Sequence, residues 1–368
     1  MKTPDQTKAR NGGTDPAEHS LITYGIHRKK RIVFLTFLLM LICVIFVLSI
    51  SMGSVRIPPS DVISSLMGNG TSLNEVIVWN IRMPRAVSAI LAGAGLAVSG
   101  AAMQSLLKNP IASPFTLGIT HASAFGAAFA IVVLGAGSHQ SAISDAVTFG
   151  NPYLISICAF LSALAITGII IFLARVKGTS PETMILAGVA MGSLCIAGTN
   201  AIQYFASDVQ ISSIIFWTFG DMGRTSWAEI RIMAAVVIPA AVFFLFNSWN
   251  YNALDSGDDV ARSLGVNVDR VRMAGLVAAS LVTALIVSFV GIIGFVGLVV
   301  PHMVRRIMGG DQRHLMVGCM LLGATLLLLS DTVARLVIAP AVLPVGILTA
   351  FMGAPLFLYL IVRGKGYW

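Results

Sequence analysis

Charge is what this sequence has least of. Lys, Arg, Asp and Glu make up 11% of its 368 residues and 56% are hydrophobic, where soluble domains carry about a quarter charged. That balance excludes a soluble globule. Acids are the scarcer sign, 16 against 24 Lys and Arg, and only Asp331 reads as buried within a span. Ion-coupled carriers place several ionisable groups or interrupted helices in the bilayer, so this scarcity weighs against a stand-alone secondary transporter. Cysteine is scarce too: Cys43, Cys158, Cys195 and Cys319 lie singly in apolar runs without a C-x-x-C pair. Neither a disulfide framework nor a zinc site is indicated by that pattern. His302 and His314 stand twelve residues apart, which is no ligand spacing. No G-x-x-x-x-G-K-[ST], H-E-x-x-H or G-x-S-x-G motif occurs, so neither a Walker-type ATP site nor a recognisable hydrolytic centre is present. The formal charge of +8 is not gathered on a face with interleaved aromatics, which argues against nucleic acid as a partner.

Long apolar runs are what the chain does have. A helix needs about 20 residues to cross a hydrocarbon core about 30 Å thick. Hydropathy places such runs near 32–53, 84–107, 114–136, 152–175, 183–206, 226–249, 272–292, 294–307, 314–337 and 344–362. The eighth is short and glycine-rich, the pattern of a broken or tilted helix. The expected fold is an all-α polytopic membrane protein of about ten helices, both termini cytoplasmic, in the cell membrane. With the N-terminus inside, inner segments hold 18 Lys and Arg and outer segments six, the positive-inside asymmetry. An odd number of spans would put Arg363 and Lys365 on the wrong face. Residues 1–31, polar and ending in HRKKR, read as a cytoplasmic tail whose composition points to disorder. An uncleaved first helix follows it, leaving 32–368 as the membrane domain.

Two loops stand out. The inner loop 251–272 contains DDVARSLG (258–265), a short helical stretch with Gly265 placed as a C-cap. Asp258, Asp259 and Arg262 on it suit docking to a cytoplasmic partner, and an ordinary solvated loop equally well. The outer segment 56–85 ends in Arg82 and Arg85 around Pro84, a residue well placed at a helix start. Those arginines could anchor to headgroups or meet acids on an outer partner. Asp331 and Arg335 stand at i,i+4 on one span and could pair with each other. His302, beside Arg305 and Arg306 at the inner end of the eighth span, reads as a packing residue. Small residues in LAGAGLAVSGAAMQSLL (91–107) allow close helix approach.

Six stretches in order carry a resemblance: 82–119 (RMPRAVSAILAGAGLAVSGAAMQSLLKNPIASPFTLGI), 182–192 (ETMILAGVAMG), 258–272 (DDVARSLGVNVDRVR), 294–313 (GFVGLVVPHMVRRIMGGDQR), 326–335 (LLLLSDTVAR) and 343–357 (LPVGILTAFMGAPLF). From about residue 35 to its end the chain resembles the permease subunits of type II ABC importers for ferric siderophores, haem and cobalamin, the FecCD-type family. The resemblance implies a second permease copy or a paralogue, two cytoplasmic ATPase subunits and an extracytoplasmic substrate-binding protein, within membrane lipid. It implies no enzyme activity and no cofactor or metal on this chain, ATP and Mg belonging to the partner ATPase. It places ATPase coupling on Asp258, Asp259, Arg262, Ser263, Leu264 and Gly265, and binding-protein docking on Arg82, Arg85 and Arg335. Its two inner gate loops match here at Asn109 and Ile111, and at Thr179 and Ser180. Its pathway matches at Gly188, Ser193, Asn200, Gln203 and Thr349. Ferric siderophores are the expected cargo, with cobalamin or haem as alternatives. The tail is long for the family, and 212–227 carries charges of its own, Asp221 and Arg224, to which the resemblance gives no role.

Overall fold

A computed structural model of the chain describes residues 16–53, 56–137, 150–339 and 341–363. Among them there is helix and loop but no strand. The chain begins with α1 (Pro16–Ser51), then two short helices, α2 (Pro59–Leu66) and α3 (Ser72–Val76). A π-helical turn (Ile77–Arg82) leads into α4 (Met83–Leu106). The next are α5 (Ile119–Val132), α6 (Pro152–Lys177), α7 (Pro181–Tyr204), α8 (Asp208–Thr218) and α9 (Trp227–Phe246). Two short helices, α10 (Ser248–Asp255) and α11 (Asp258–Ser263), precede α12 (Val268–Val290). The last are α13 (Val296–Met308), α14 (Gln312–Leu336) and α15 (Val345–Arg363).

Among the described residues, seven helical segments are long and apolar enough to cross a membrane: 29–51, 72–106, α6, α7, α9, α12 and α14. The shorter α5, α13 and α15 occupy the other three expected spans. The thirteen residues of α13 rise only about 20 Å. Before it, the backbone leaves α12 at Gly291 (φ 82) and runs unwound to Phe295 (φ 66), the break that the glycine-rich eighth run suggested. One expectation needs correcting. The backbone of 16–31 is helical, where composition pointed to disorder. No proline lies between Pro16 and Pro58, so a helix already nucleated in the apolar stretch propagates backwards at little cost. Residues 1–15 of the expected tail, and Lys365, lie outside the described residues.

The most enclosed helix is α4, with nearly every residue from Pro84 to Leu106 buried or half-buried. It packs against α9, α12, α13 and α14, and its glycines make this possible. A Cβ on Gly100 would stand far inside van der Waals contact distance of the Gly297 carbonyl oxygen, and one on Gly93 would clash with the Gly323 carbonyl oxygen in the same way. Gly100→Ala is therefore expected to cost at least the upper part of the overpacking range, about 3 kcal/mol, read as a lowered thermal midpoint in detergent. Gly168→Ala on α6, where nothing stands within 4 Å, is expected to leave the midpoint unchanged or raise it.

Candidate functional site

Polar groups collect at two opposite ends of the bundle, named here for Arg272 and Arg85. At the Arg272 end, Gly257 (φ 119) frees the chain to turn into α11. Asp258 and Asp259 occupy its first turn and Arg262 its last, the charge order that suits the helix dipole. Gly265, at φ 83, closes it, with Val266 N–H donating to the Ala261 carbonyl (3.0 Å). Asn267 then caps α12 by accepting from Arg270 N–H (3.0 Å). Of the six residues expected to meet an ATPase, Asp259, Arg262, Ser263, Leu264 and Gly265 are exposed, Leu264 at 68%. Asp258 instead turns into the chain.

What receives Asp258 is Arg272, whose side chain is 2% exposed. Its Nη2 donates to both Asp258 carboxylate oxygens (2.9 and 3.1 Å), its Nε to the Leu106 carbonyl (2.8 Å) and its Nη1 to the Thr179 carbonyl (2.8 Å). Lys108 Nζ joins at 2.6 Å from Asp258. Burial pushes the Asp258 carboxyl upward, but hydrogen bonds from Lys108 and Arg272 outweigh it and hold the group below the usual carboxylate range. One guanidinium thus ties α11 to the end of α4 and to the turn before α7. The expected gate residues sit on those two segments. Asn109 accepts from Ile111 N–H (3.0 Å) beside an exposed Ile111, Thr179 donates to the Asp269 carboxylate, and Ser180 caps α7 by accepting from Thr183 N–H (3.2 Å). Coupling and gate positions are therefore brought together. In the sequence Arg272 counted only as a loop charge. The signal that could have found it is its place five residues inside α12, since an ionisable group within a spanning helix marks function by default.

A second cluster stabilises the same end. Gln312 Nε2 donates to Ser105 Oγ (2.6 Å) and to Asp255 (2.7 Å), and Asp311 accepts from Asn252 (3.1 Å). Arg313 hydrogen bonds first, then the Asn252 bond, hold Asp311 far below its ordinary range against burial, which opposes them. His302 stacks on Phe357, ring centroids 5.7 Å apart at 8°, consistent with a packing role. Among the described residues no His, Cys, Asp and Glu gather as a metal site.

The Arg85 end holds a surprise for the sequence reading. Arg85 Nε donates to both oxygens of Asp331 (2.9 and 3.1 Å), and its Nη2 lies 2.8 Å from Asp331 and 3.0 Å from Asp221. Arg335 reaches Asp331 (3.3 Å) together with the Ser49 carbonyl (3.1 Å) and hydroxyl (2.7 Å). Arg82 donates to the carbonyls of Ile50 and Ser51. The three arginines expected as outward docking groups are thus occupied inside the chain. Two physical demands account for this. The last carbonyls of α1 have no donors within their own helix, and Asp331, fully buried, requires opposite charge. Asp221, undecoded in the sequence, is the second acid of Arg85. Arg224 donates to the carbonyls of Phe216 and Trp217.

The expected pathway residues divide. Ser193 and Asn200 lie on an exposed face of α7 with Leu186, Val189 and Leu194, and Gln203 is half-buried. Gly188 is a packing residue: a Cβ there would come within 2.9 Å of Leu117 Cα. Thr349 is buried too and donates to the Gly346 carbonyl (3.1 Å). A predominantly apolar cavity of about 600 Å³ opens between α8, the unwound 292–295 segment and α15, walled by Phe219, Ile347 and Phe351 among others.

Residues 40–363 match the FecCD transport family. A Methanocaldococcus jannaschii protein, assigned provisionally as an ABC transporter permease, is 50% identical over 340 residues, 92% of this chain and 97% of its own length. The hemin transport system permease protein HmuU of Yersinia pestis is 35% identical over 339 residues, 90% and 96% of the two chains. The vitamin B12 import system permease protein BtuC of Citrobacter koseri is 35% identical over 347 residues, 94% and 99%. Among solved structures, an inward-facing transporter assigned provisionally to the metal-chelate ABC type superposes with a TM-score of 0.78 at 28% identity, covering 89% of this chain and 98% of that one.

Proposed function

This chain belongs to the FecCD transport family, and from that premise we propose that it is the permease of an ATP-driven importer whose cargo is ferric siderophores. The observation that carries the reading is the Arg272 end. There an exposed short helix is tied by one buried guanidinium to both segments that hold the expected gate residues. A push on α11 from an ATPase has a direct route to the ends of α4 and α7. The Arg272 end faces the cytoplasm in this reading, as the excess of Lys and Arg in those segments requires. Two ATPase subunits close on ATP, two permease copies shift, and a chelate delivered at the Arg85 end passes along the axis between them. The exposed apolar faces of α7 and α15 line that axis. This chain supplies the path and the transmission, while hydrolysis belongs to the ATPase.

The cavity beside α15 is largely apolar, which suits a bulky cargo whose metal stays wrapped in its organic shell and needs no protein ligand. Relatives named for hemin and vitamin B12 keep those two chelates as the alternatives. The buried acids among the described spans do not favour an ion-coupled carrier: Asp331 is committed to Arg85 and Arg335, and Glu229, in the first turn of α9, accepts from Ser226 N–H (2.8 Å). Uptake of labelled ferric siderophore, hemin and cyanocobalamin is to be compared in cells lacking the gene and cells with it restored. Loss and recovery of iron uptake is expected; recovery of hemin or cobalamin uptake alone would replace the cargo and keep the machine.

The coupling face has its own test. Asp259→Lys with Leu264→Asp is expected to weaken ATPase co-purification and stop uptake without moving the thermal midpoint, because both side chains lie on the surface. Unchanged co-purification and uptake would remove α11 from the coupling role.

A further inference from the structure

A recess of about 240 Å³ lies beside the larger cavity, walled by Leu96, Thr116, Thr120, Thr283, Gly297 and Phe357 among others. Phe115 and Phe295 line both spaces and stand between them. Two features set the recess apart from ordinary packing. The first is its hydroxyls. Thr120 and Thr283 are buried, and among the described residues neither hydroxyl has a hydrogen-bond partner. Other threonines within these helices satisfy themselves on the carbonyl four residues back, as Thr167, Thr199, Thr325 and Thr332 do at 2.7–2.9 Å. Buried hydroxyls without partners are costly, and two of them on residues that line one space point to something that fills it.

The second feature is Phe295. Its φ of +66 is one of only two positive values at non-glycine positions among the described residues. A bulky residue held there is strained, and such strain concentrates at binding sites and switches. The residue caps the start of α13 after unwound backbone, and irregular backbone inside a membrane protein is tolerated where it lines a cavity. Its ring also abuts α15: a Cβ on Gly353 would lie 2.6 Å from Phe295 Cγ. Any shift of α15 therefore acts on the aromatic wall between the two spaces.

We propose that this recess is a substrate subsite. It receives a hydrogen-bonding edge of the chelate's organic shell, such as an amide, carboxylate or hydroxamate, on the hydroxyls of Thr120 and Thr283. Phe295 and Phe115 form the aromatic threshold that sets what enters. The proposal rests on the reading of the chain as a chelate permease. A hydroxyl pair suits such a cargo, since each group both donates and accepts and neither competes for the metal.

The test uses the assembled transporter in lipid, with Cys43, Cys158, Cys195 and Cys319 replaced by Ala and Thr120→Cys introduced. Labelling by a small methanethiosulfonate reagent is followed with and without hemin, cyanocobalamin or a ferric tris-hydroxamate. Labelling is expected, faster severalfold when Phe295→Gly removes both ring and strain, and slowed by the chelate that the transporter carries. In the otherwise native chain, Thr120→Val with Thr283→Val keeps the shape of both side chains. It is expected to raise KM for that chelate severalfold with little change in maximal rate. Absence of labelling in both backgrounds would make the recess sealed core and overturn the proposal. Labelling indifferent to a chelate that the wild type demonstrably imports would overturn the subsite alone and leave chelate import standing. A wild type that imports none of the three, with labelling indifferent to all of them, would overturn both.

Discussion

Replacing Arg272 with Met is expected to abolish ATP-driven uptake, the largest single effect predicted for this chain. The change removes donors to Leu106, Thr179 and Asp258 at once, and it strands acceptors in a place water reaches poorly. Removing one partner of a buried pair costs about 3–5 kcal/mol, although Lys108 remains beside Asp258 and softens part of the loss. Arg272→Lys is no rescue, because one ammonium cannot serve three acceptors that the planar fork reaches together. A purely structural role would lower the thermal midpoint and the amount of folded protein together with uptake. Transmission predicts something more. In material that folds, ATPase activity continues but no longer responds to the loaded binding protein. Acid acts on the same contact with a definite sign. The folded-state pKa of Asp258 is depressed, so its contribution is present above the ordinary carboxylate range and is lost only as pH falls through the lower, folded value. Coupling is accordingly expected to be flat with pH through neutrality.

Asp331→Asn is the second large effect, and it acts at the opposite end. Asp331 is fully buried and is contacted by both Arg85 and Arg335, so neutralising it leaves two guanidinium groups short of their counter-charge. A loss of about 3–5 kcal/mol is expected, read as a fall in the thermal midpoint. Pairing it with Arg85→Met is expected to recover part of that loss, because two contacting residues do not add. Simple addition of the two single effects would show that they are not energetically coupled. The experiment also separates two views of the rim arginines. If their purpose is to fasten α1 and α14, binding-protein affinity follows stability. If they are released for docking, Asp331→Asn strengthens docking while it weakens the fold.

The sequence carried the spans well because each is a local property: about twenty apolar residues and a charge bias at their ends. It also carried the break before α13, since Gly291, Gly294 and Gly297 crowd one run. Long-range pairing was invisible. Arg85 and Asp331 are 246 positions apart, and nothing in either neighbourhood announces the other, whereas the Asp331–Arg335 pair, at i,i+4, could be read directly. The same limit explains Gly188 and Thr349. Family matching put them on helices that face the passage, but which side of a helix is buried depends on neighbours such as Leu117. Arg272 was missed for a related reason: its three acceptors include two backbone carbonyls, and backbone acceptors leave no trace in residue identity. The helical backbone of 16–31 was missed because composition weighs polar residues, while helix propagation depends on the apolar segment beside them.

Position 264 offers the most direct test of the central claim, that α11 and its exposed C-terminal edge carry the ATPase contact. A photo-reactive amino acid is placed at Leu264 in the assembled transporter, and at Phe172, exposed on α6, as a control. After illumination, a covalent adduct of this chain with the ATPase subunit is predicted from position 264 and none from position 172. An active transporter that gives no adduct at 264, or gives it equally at 172, would contradict the account.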